Sequence, residues 1–208
     1  MQQHQHLSTG TTTVGIVCKD CVILGSESKS TMGSLVASKT SQKIYQVDDK
    51  IGITTAGGAG DTQMLMRIVK AEINLYKMGR NREMTIKAAA ALLSNILSSN
   101  RYYPYMAMLI IGGADADGFH VVTMDPVGGS DDETYTSTGS GSPMAYGVLE
   151  DGYKDGLTKE EGMRLAVRAV RAARERDIFS GGKDIVIAVI DKNGFKLVDK
   201  QTVENLAK

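Results

Sequence analysis

The sequence predicts a single α+β domain in which packed β-sheets are flanked by pairs of helices. Strand-forming segments occur in groups, and two helices separate one group from the next. A doubly wound parallel sheet would instead alternate one strand with one helix. No segment of the 208 residues is long enough, or rich enough in Gly, Pro and Ser, to link two domains. A single domain of this length buries roughly 70% of its unfolded surface.

Stiff, β-branched residues mark the strands at the start of the chain. Thr and Val are restricted at χ1 and favour extended backbone, and they dominate Thr11–Cys18. The same reasoning predicts strands over Cys21–Ser26, Lys43–Val47 and Ile51–Ala56. We therefore expect a group of strands before the first helix.

Two helices follow, because apolar residues recur at intervals of three and four positions. The first runs from about Asp61 to Lys77 and the second from about Thr85 to Ser99. The apolar positions are Leu65, Ile68, Val69, Ile73 and Tyr76 in the first, and Ile86, Ala89, Ala90, Leu93 and Leu97 in the second. This helix pair separates the first group of strands from the next.

A second group of strands leads to another helix. Strands are predicted over Met106–Gly112 and Phe119–Met124, with a short one near Glu133–Thr138. Ser142 followed by Pro143 has the pattern of an N-cap and a proline at the first helical position. We therefore expect a helix to begin at this dipeptide.

A further helix and two strands complete the predicted order. Thr158 and Glu161 form a capping-box pattern at the start of a helix that continues to about Arg176. Strands are predicted over Asp184–Ile190 and Phe195–Val198, and a terminal helix can follow them. The chain thus repeats the sequence of strands followed by paired helices.

Charge and hydropathy exclude several function classes. The 24 basic and 24 acidic residues give a formal net charge of zero, which removes the electrostatic argument for nucleic acid or an anionic membrane surface as partner. The longest apolar runs, such as Met106–Ile111, are far shorter than the roughly 20 residues that span a bilayer. The head MQQHQHLSTG has neither a basic region nor an apolar core, so we expect no secretory signal and a cytoplasmic location.

Cysteine and histidine patterns predict neither a metal site nor a cofactor. Cys18 and Cys21 have C-x-x-C spacing, but no second pair completes a tetrahedral zinc site. Lys19-Asp20 between them is typical of a hairpin turn, which would place two structural thiols opposite each other on adjacent strands. His120 is the one histidine beyond the polar head, so a Ser-His-Asp hydrolase has few bases available.

A glycine-rich turn, TTAGGAGDTQ at 54–63, connects a predicted strand to a predicted helix. Gly58 and Gly60 fit a dinucleotide-binding loop, but Gln63 stands where the third glycine belongs, and the Gly-Lys-Ser/Thr ending of a P-loop is missing. What remains is a turn whose N–H groups lie at a helix N-terminus, where they stabilise negative charge. This arrangement suits the oxyanion of an acyl transfer.

The segment HLSTGTTTVGIV at 6–17 supplies a nucleophile for such a reaction. An internal threonine is a poor nucleophile because nothing beside it accepts its proton, whereas an N-terminal threonine carries its own base. A free α-amine has a pKa of roughly 7.7–8.0 and is partly neutral near pH 7. Cleavage between Gly10 and Thr11 would therefore create the catalyst. The alternative is a polar tail followed by an edge strand.

Four motifs, in order along the chain, resemble those of proteasome β subunits of the archaeal type, which are N-terminal-nucleophile hydrolases. The motifs are TGTTTVGI at the start, TTAGGAGD at 54–61, STGSGSPMAYGVLE at 137–150 and RDIFSGG at 176–182. The resemblance covers nearly the whole chain. It implies a four-layer sandwich of two antiparallel β-sheets flanked by helix pairs, in agreement with the predicted order of elements.

The resemblance implies catalytic roles for seven residues. Thr11 matches the nucleophile, and Lys43 matches the lysine whose charge favours deprotonation of the hydroxyl and the α-ammonium. Glu27 matches the acidic partner of this lysine, which is aspartate in many relatives. The other matches are Asp177, Ser180 and Ser140 near the α-amine, and Gly57 as the backbone N–H donor to the oxyanion. Without the resemblance, Lys43 is interpreted as a solvent-facing strand lysine.

The resemblance also implies a substrate-binding pocket with a small, partly polar lining. Its positions are Ser30, Thr31, Ser41, Tyr45, Thr55 and Ala59. Relatives often have larger aliphatic groups at some of them, so no preferred P1 residue is predicted. Lys29 stands where relatives commonly have arginine, a change that concerns local bracing rather than catalysis.

The protein implied by the resemblance is a threonine endopeptidase that degrades unfolded polypeptides inside a barrel-shaped chamber. Residues 1–10 would be a propeptide removed by self-cleavage at Gly10-Thr11, and residues 11–208 would form the single catalytic domain. The implied partners are other β subunits in a seven-membered ring, α subunits in the outer rings and a regulatory ATPase. Two alternatives stay open: a small-molecule amidohydrolase of the same class, and a non-catalytic β-type subunit, against which the catalytic matches argue.

Overall fold

Residues 10–207 are described by a computed structural model, in which two five-stranded sheets and a separate hairpin are joined by helices. The strands are β1 (Thr13–Val17), β2 (Val22–Glu27), β3 (Ser30–Met32), β4 (Leu35–Ser38), β5 (Ile44–Asp48), β6 (Ile51–Gly57), β7 (Ala107–Asp115), β8 (Gly118–Met124), β9 (Ser130–Glu133), β10 (Tyr135–Thr138), β11 (Ile185–Asp191) and β12 (Gly194–Leu197). The helices are α1 (Ala59–Arg80), α2 (Ile86–Ser99), α3 (Ser142–Gly152), α4 (Lys159–Arg176) and α5 (Lys200–Leu206).

The two large sheets are antiparallel and pack face to face. The first sheet has the order β10-β1-β2-β11-β12, and the second has the order β5-β6-β7-β8-β9. Between them lies an apolar layer of Val22, Leu24, Ile44, Ile110, Ala114, Val121, Ala188 and Ile190. This layer excludes water from the facing surfaces of both sheets, and its burial stabilises the sandwich.

Helices cover the outer faces of the sandwich. α1 and α2 pack on the second sheet around Ile53, Leu93 and Leu109, which are fully buried. α3 and α4 pack on the first sheet around Ile23 and Val167, and α5 contacts α4 and β11. The predicted α+β class, with two antiparallel sheets flanked by helix pairs, is confirmed.

The short strand predicted near Glu133–Thr138 is present as β10, whereas the strand before it, β9, was not predicted. β9 pairs with β8 at the edge of the second sheet, whereas β10 pairs with β1 at the edge of the first. The chain crosses between the sheets at Thr134. The four residues of β9, SDDE, are all exposed, so no apolar alternation marks this strand in the sequence. Charged residues on such an edge discourage pairing with other chains.

Two local predictions around loops also differ from the structure. The hairpin of β3 and β4 has no counterpart among the predicted strands, because exposed Met32, Leu35 and Val36 break the alternation of buried and exposed positions. Ser142 is not the N-cap of α3: Gly141 has that position, and the Ser142 hydroxyl donates to the Gly139 carbonyl at 2.6 Å. The capping box of Thr158 and Glu161 is present as predicted.

The turn between β1 and β2 brings the two cysteines together as predicted. The Cys18 N–H donates to the Cys21 carbonyl at 2.8 Å, and both thiols are free and buried. The neighbouring Cys21 thiol and burial raise the pKa of the Cys18 thiol. Among residues 10–207, no helix combines the length and the apolar character needed to cross a membrane.

Candidate active site

Thr11 lies just before β1 and lines a cavity of about 690 Å³. Its side chain is buried, and Gly10, Lys43 and Gly57 line the same cavity. All six predicted pocket positions are also in its wall: Ser30, Thr31, Ser41, Tyr45, Thr55 and Ala59. The fold therefore brings the predicted nucleophile and the predicted substrate pocket together.

Lys43 and Glu27, which we call the lysine arm, reach Thr11 from one side. The Lys43 ammonium Nζ lies 2.8 Å from Thr11 Oγ1 and 3.4 Å from the Gly10 carbonyl oxygen. It also donates to Glu27 Oε1 in a close ion pair. Lys43 directly precedes β5, and its carbonyl accepts the Thr55 N–H from β6 at 2.9 Å. This pairing fixes the backbone from which the lysine side chain extends.

The Glu27 carboxylate is held by backbone donors as well as by the lysine. Its Oε2 accepts the N–H groups of Lys29 at 2.6 Å and Gly181 at 3.1 Å, and its Oε1 accepts the Thr12 N–H at 3.3 Å. Glu27 has no exposed surface. A charge this deeply buried is tolerated only when it is paired and hydrogen-bonded, and both conditions are met.

The lysine has a lowered pKa. Burial is the main cause, the Glu27 carboxylate opposes it, and the nearby Lys29 ammonium lowers the pKa further. Lys43 therefore gives up its proton more readily than an exposed lysine does. An amine of this kind can exchange a proton with the Thr11 hydroxyl, to which it is hydrogen-bonded.

Ser140, Asp177 and Ser180, which we call the amine arm, lie on the other side of Thr11. The Thr11 N–H donates to Ser140 Oγ at 3.2 Å, and the Ser140 hydroxyl donates to Asp177 Oδ2 at 2.6 Å. The Ser180 hydroxyl donates to the same carboxylate oxygen at 2.6 Å. Asp177 is the C-cap residue of α4, so the helix end positions its carboxylate beside the first strand.

Gly57 ends β6 immediately before the N-terminus of α1. Its φ of 138° lies in the region that favours glycine, and a Cβ at this position would overlap the Met106 carbonyl oxygen. The Gly58 N–H donates to that same oxygen at 2.7 Å. Glycine is thus required for the turn that carries the predicted oxyanion donor to the cavity.

Gly10 is closely packed against the loop after α4. A Cβ at residue 10 would overlap the Cβ of Phe179. The Thr11 hydroxyl donates to the Gly10 carbonyl oxygen at 2.7 Å, so the nucleophile and the peptide group before it are in direct contact. The contact with Phe179 could not be predicted from local sequence patterns, because Phe179 is far from Gly10 along the chain.

The cavity wall also contains residues that sequence reasoning missed. Met66, Arg67 and Lys70 of α1 line it together with the predicted pocket positions. Their spacing of three and four residues places them on one face of the helix, and that periodicity was the available signal. The Lys29 ammonium donates to the Ile178 carbonyl at 2.7 Å, so this lysine braces the loop after α4.

Two antiparallel sheets between helix layers, with the candidate nucleophile at the head of the first strand, are the arrangement of N-terminal-nucleophile hydrolases. The model of the family described as "Proteasome subunit" matches residues 7–190. The chain therefore belongs to the proteasome subunit family. It is part of a protease that assembles into a proteasome core with other subunits.

Several archaeal proteins named proteasome subunit beta are similar to the chain. The chain is 53% identical over 197 residues to a protein named proteasome subunit beta from Methanosarcina mazei, covering 94% of this chain and 93% of the relative. It is 50% identical over 209 residues to one from Methanoregula boonei, covering 100% and 98%, and 48% identical over 199 residues to one from Methanocaldococcus fervens, covering 95% and 88%. These similarities favour the proteasome over the small-molecule amidohydrolase among the alternatives.

Proposed function

We propose that the chain is the catalytic β subunit of a proteasome core particle and acts as a threonine endopeptidase with Thr11 as nucleophile. The observation that carries this proposal is the 2.8 Å contact between Lys43 Nζ and Thr11 Oγ1 in a buried site. The same threonine has its backbone nitrogen hydrogen-bonded to Ser140. These contacts support the proposal, because the Thr11 hydroxyl lies beside the Lys43 cation, and the Thr11 nitrogen, which would become the α-amine, belongs to the same residue.

Maturation would convert residues 1–10 into a released propeptide and leave residues 11–208 as the catalytic domain. The Thr11 oxygen attacks the Gly10 carbonyl carbon, and its proton passes to Lys43 in the neutral form. As the Gly10–Thr11 C–N bond breaks, the Thr11 nitrogen takes up that proton and an ester remains. This step frees the α-amine of Thr11. Water then hydrolyses the ester, which frees the Thr11 hydroxyl and releases the propeptide with a carboxylate at Gly10. Residues 1–9 lie outside the described part of the chain.

The same groups would then cleave substrate peptides. The α-amine accepts the hydroxyl proton while Thr11 Oγ1 attacks the scissile carbonyl, and the amine later gives the proton to the leaving nitrogen. Lys43 stabilises the developing negative charge on the threonine oxygen. The Gly57 N–H would stabilise the oxyanion of the tetrahedral intermediate. Water finally hydrolyses the acyl-enzyme and regenerates the free hydroxyl.

The substrates in this proposal are unfolded polypeptides, which would bind in the pocket lined by small and partly polar side chains. Seven β subunits would form each inner ring, α subunits the outer rings, and a regulatory ATPase would deliver substrate to the chamber in the cytoplasm. Membership of the proteasome subunit family supports these assignments. No cofactor or metal takes part in the proposed chemistry.

Thr11→Ala in the assembled particle tests the proposal. Intact mass should show that the wild-type chain has lost residues 1–10 and that the variant retains them, and the variant should not hydrolyse a fluorogenic peptide. Thr40→Ala removes an exposed threonine hydroxyl and is the matched control, which should mature and cleave normally. A fully active particle whose chain still begins at Met1 would contradict the mechanism.

A further inference from the structure

We propose that Thr12 is a positioning residue for the amine arm, because its hydroxyl fixes the orientation of the Ser180 hydroxyl. This inference rests on the proposed function, in which the Thr11 nitrogen becomes the catalytic amine. Thr12 follows the nucleophile directly and is fully buried. Its Oγ1 lies 2.5 Å from Ser180 Oγ.

The acceptor-only character of a carboxylate sets the direction of these hydrogen bonds. Ser180 Oγ has one proton and lies 2.6 Å from Asp177 Oδ2, so the Ser180 hydroxyl donates to Asp177. The Ser180 oxygen is then an acceptor towards Thr12, and the Thr12 hydroxyl donates to it. The resulting chain runs from Thr12 through Ser180 to Asp177 and from there to Ser140 and the Thr11 nitrogen.

The Thr12 hydroxyl is tightly packed. A Cβ at Gly141, the N-cap residue of α3, would overlap Thr12 Oγ1. Ser180 is also buried, so water does not readily replace the Thr12 donor. Loss of the Thr12 hydroxyl would therefore leave a buried lone pair on Ser180 and allow its hydroxyl to rotate away from Asp177.

The backbone of Thr12 is also hydrogen-bonded to Glu27 of the lysine arm. Its N–H donates to Glu27 Oε1 and its carbonyl accepts the Glu27 N–H, each at 3.3 Å. A side-chain substitution at residue 12 leaves these backbone bonds in place. The side-chain hydroxyl can therefore be tested separately from the contacts that hold Glu27.

Thr12→Val removes the hydroxyl at nearly constant volume, and Thr12→Ser retains it. We expect Thr12→Val to lower kcat/KM for a fluorogenic peptide by roughly tenfold to a hundredfold, the range for one buried hydrogen bond in a charged network. Its pH profile of kcat/KM should be displaced from that of the wild type, and Thr12→Ser should restore both rate and profile. Thr12→Ala serves the same purpose if the valine variant does not assemble.

Thr13→Val is the matched control. Thr13 is the next residue, is buried, and has its hydroxyl bonded to Thr138 at 2.7 Å and Thr54 at 2.9 Å rather than to the amine arm. Thr13→Val should lower the thermal stability of the protein without displacing the pH profile of kcat/KM. Equal effects of Thr12→Val and Thr13→Val on the profile would overturn the inference, because they would indicate a merely structural role.

A double-mutant cycle with Ser180→Ala decides whether Thr12 acts through Ser180. In the Ser180→Ala background, Thr12→Val should reduce kcat/KM no further, since the group it orients is gone. Independent, multiplying losses would overturn the inference, as would an unchanged Thr12→Val enzyme. If Thr11→Ala were active in the same assay, the proposed function itself would fail, so the two failures are distinguishable.

Discussion

The two arms that reach Thr11 differ in burial. Lys43 and Glu27 are 7% and 0% exposed and form an ion pair, whereas Ser140 is exposed and Asp177 is half-buried. Removal of one partner of a buried ion pair leaves an uncompensated charge, but water can replace a lost partner at an exposed hydroxyl. The lysine arm thus combines catalysis with stability, whereas Ser140 and Asp177 of the amine arm can be changed with little loss of stability. Ser180, the third member of the amine arm, is buried like the lysine arm.

Lys43→Ala should have the largest effect of the changes considered below. We expect peptide hydrolysis to fall by roughly a thousandfold or more, because the variant lacks the cation beside the nucleophile. Lys43→Arg should also lose peptide hydrolysis, since a planar guanidinium does not replace a compact ammonium. Unfolding in urea should show Lys43→Ala to be less stable by about 3 kcal/mol, because Glu27 stays buried without its partner.

The double variant Glu27→Gln/Lys43→Met is the control for the lysine arm. It removes both charges, so it should recover part of the stability that Lys43→Ala loses while it stays inactive. The recovery should be partial, because an amide nitrogen cannot accept the backbone N–H groups that both Glu27 oxygens accept. This outcome would separate the catalytic role of the lysine from its role in the ion pair. Near wild-type turnover by an assembled Lys43→Ala or Lys43→Arg particle would show that the catalytic role is wrong.

Asp177→Asn should have an intermediate effect that is confined to activity. The amide is nearly the same size but carries no charge, so kcat/KM should fall by roughly tenfold to a hundredfold. The free energy of unfolding should change by less than about 1 kcal/mol, because Asp177 is half-buried and Ser140 is exposed. A stability loss as large as that of Lys43→Ala would remove the distinction between the two arms.

Metal removal should have no effect, because neither arm contains a set of metal ligands. Within residues 10–207, no group of three or more His, Cys, Asp or Glu side chains is arranged to hold a metal ion. Peptidase activity of the assembled particle should therefore be the same before and after dialysis against EDTA. Loss of activity with the particle still assembled would indicate a metal site outside the two arms.

Much of the fold could be predicted from local sequence patterns. α2 and α4 have regular apolar spacing and side-chain caps. β7 begins with a continuous apolar run, and β8 is rich in apolar and β-branched residues, so each pattern matched its element closely. β9 and the β3–β4 hairpin could not be predicted in this way, because their residues are mostly exposed. These strands form because the folded chain brings them beside a partner strand. That proximity is a property of the tertiary structure.

Apart from Thr11 and the glycine turn, the members of the candidate site could be assigned only through the resemblance, because no local pattern connects them. Ser140 is 129 residues from Thr11 in the sequence and yet lies 3.2 Å from its nitrogen. Lys43 by itself is typical of an exposed strand lysine. Its burial, which lowers its pKa, follows from the packing of Glu27 and the cavity wall around it.

The sequence by itself determined the strand and helix order apart from β3, β4 and β9, together with the Gly10-Thr11 dipeptide and the motifs that resemble the proteasome family. These features depend on residue type and short spacing, which are local. Only the tertiary structure decided that Thr12 contacts Ser180 and that Phe179 packs on Gly10. It also decided that the lysine arm is buried while the amine arm is partly exposed. The physical reason is that burial and hydrogen-bond partners depend on which distant segments pack together, and residue type alone does not specify them.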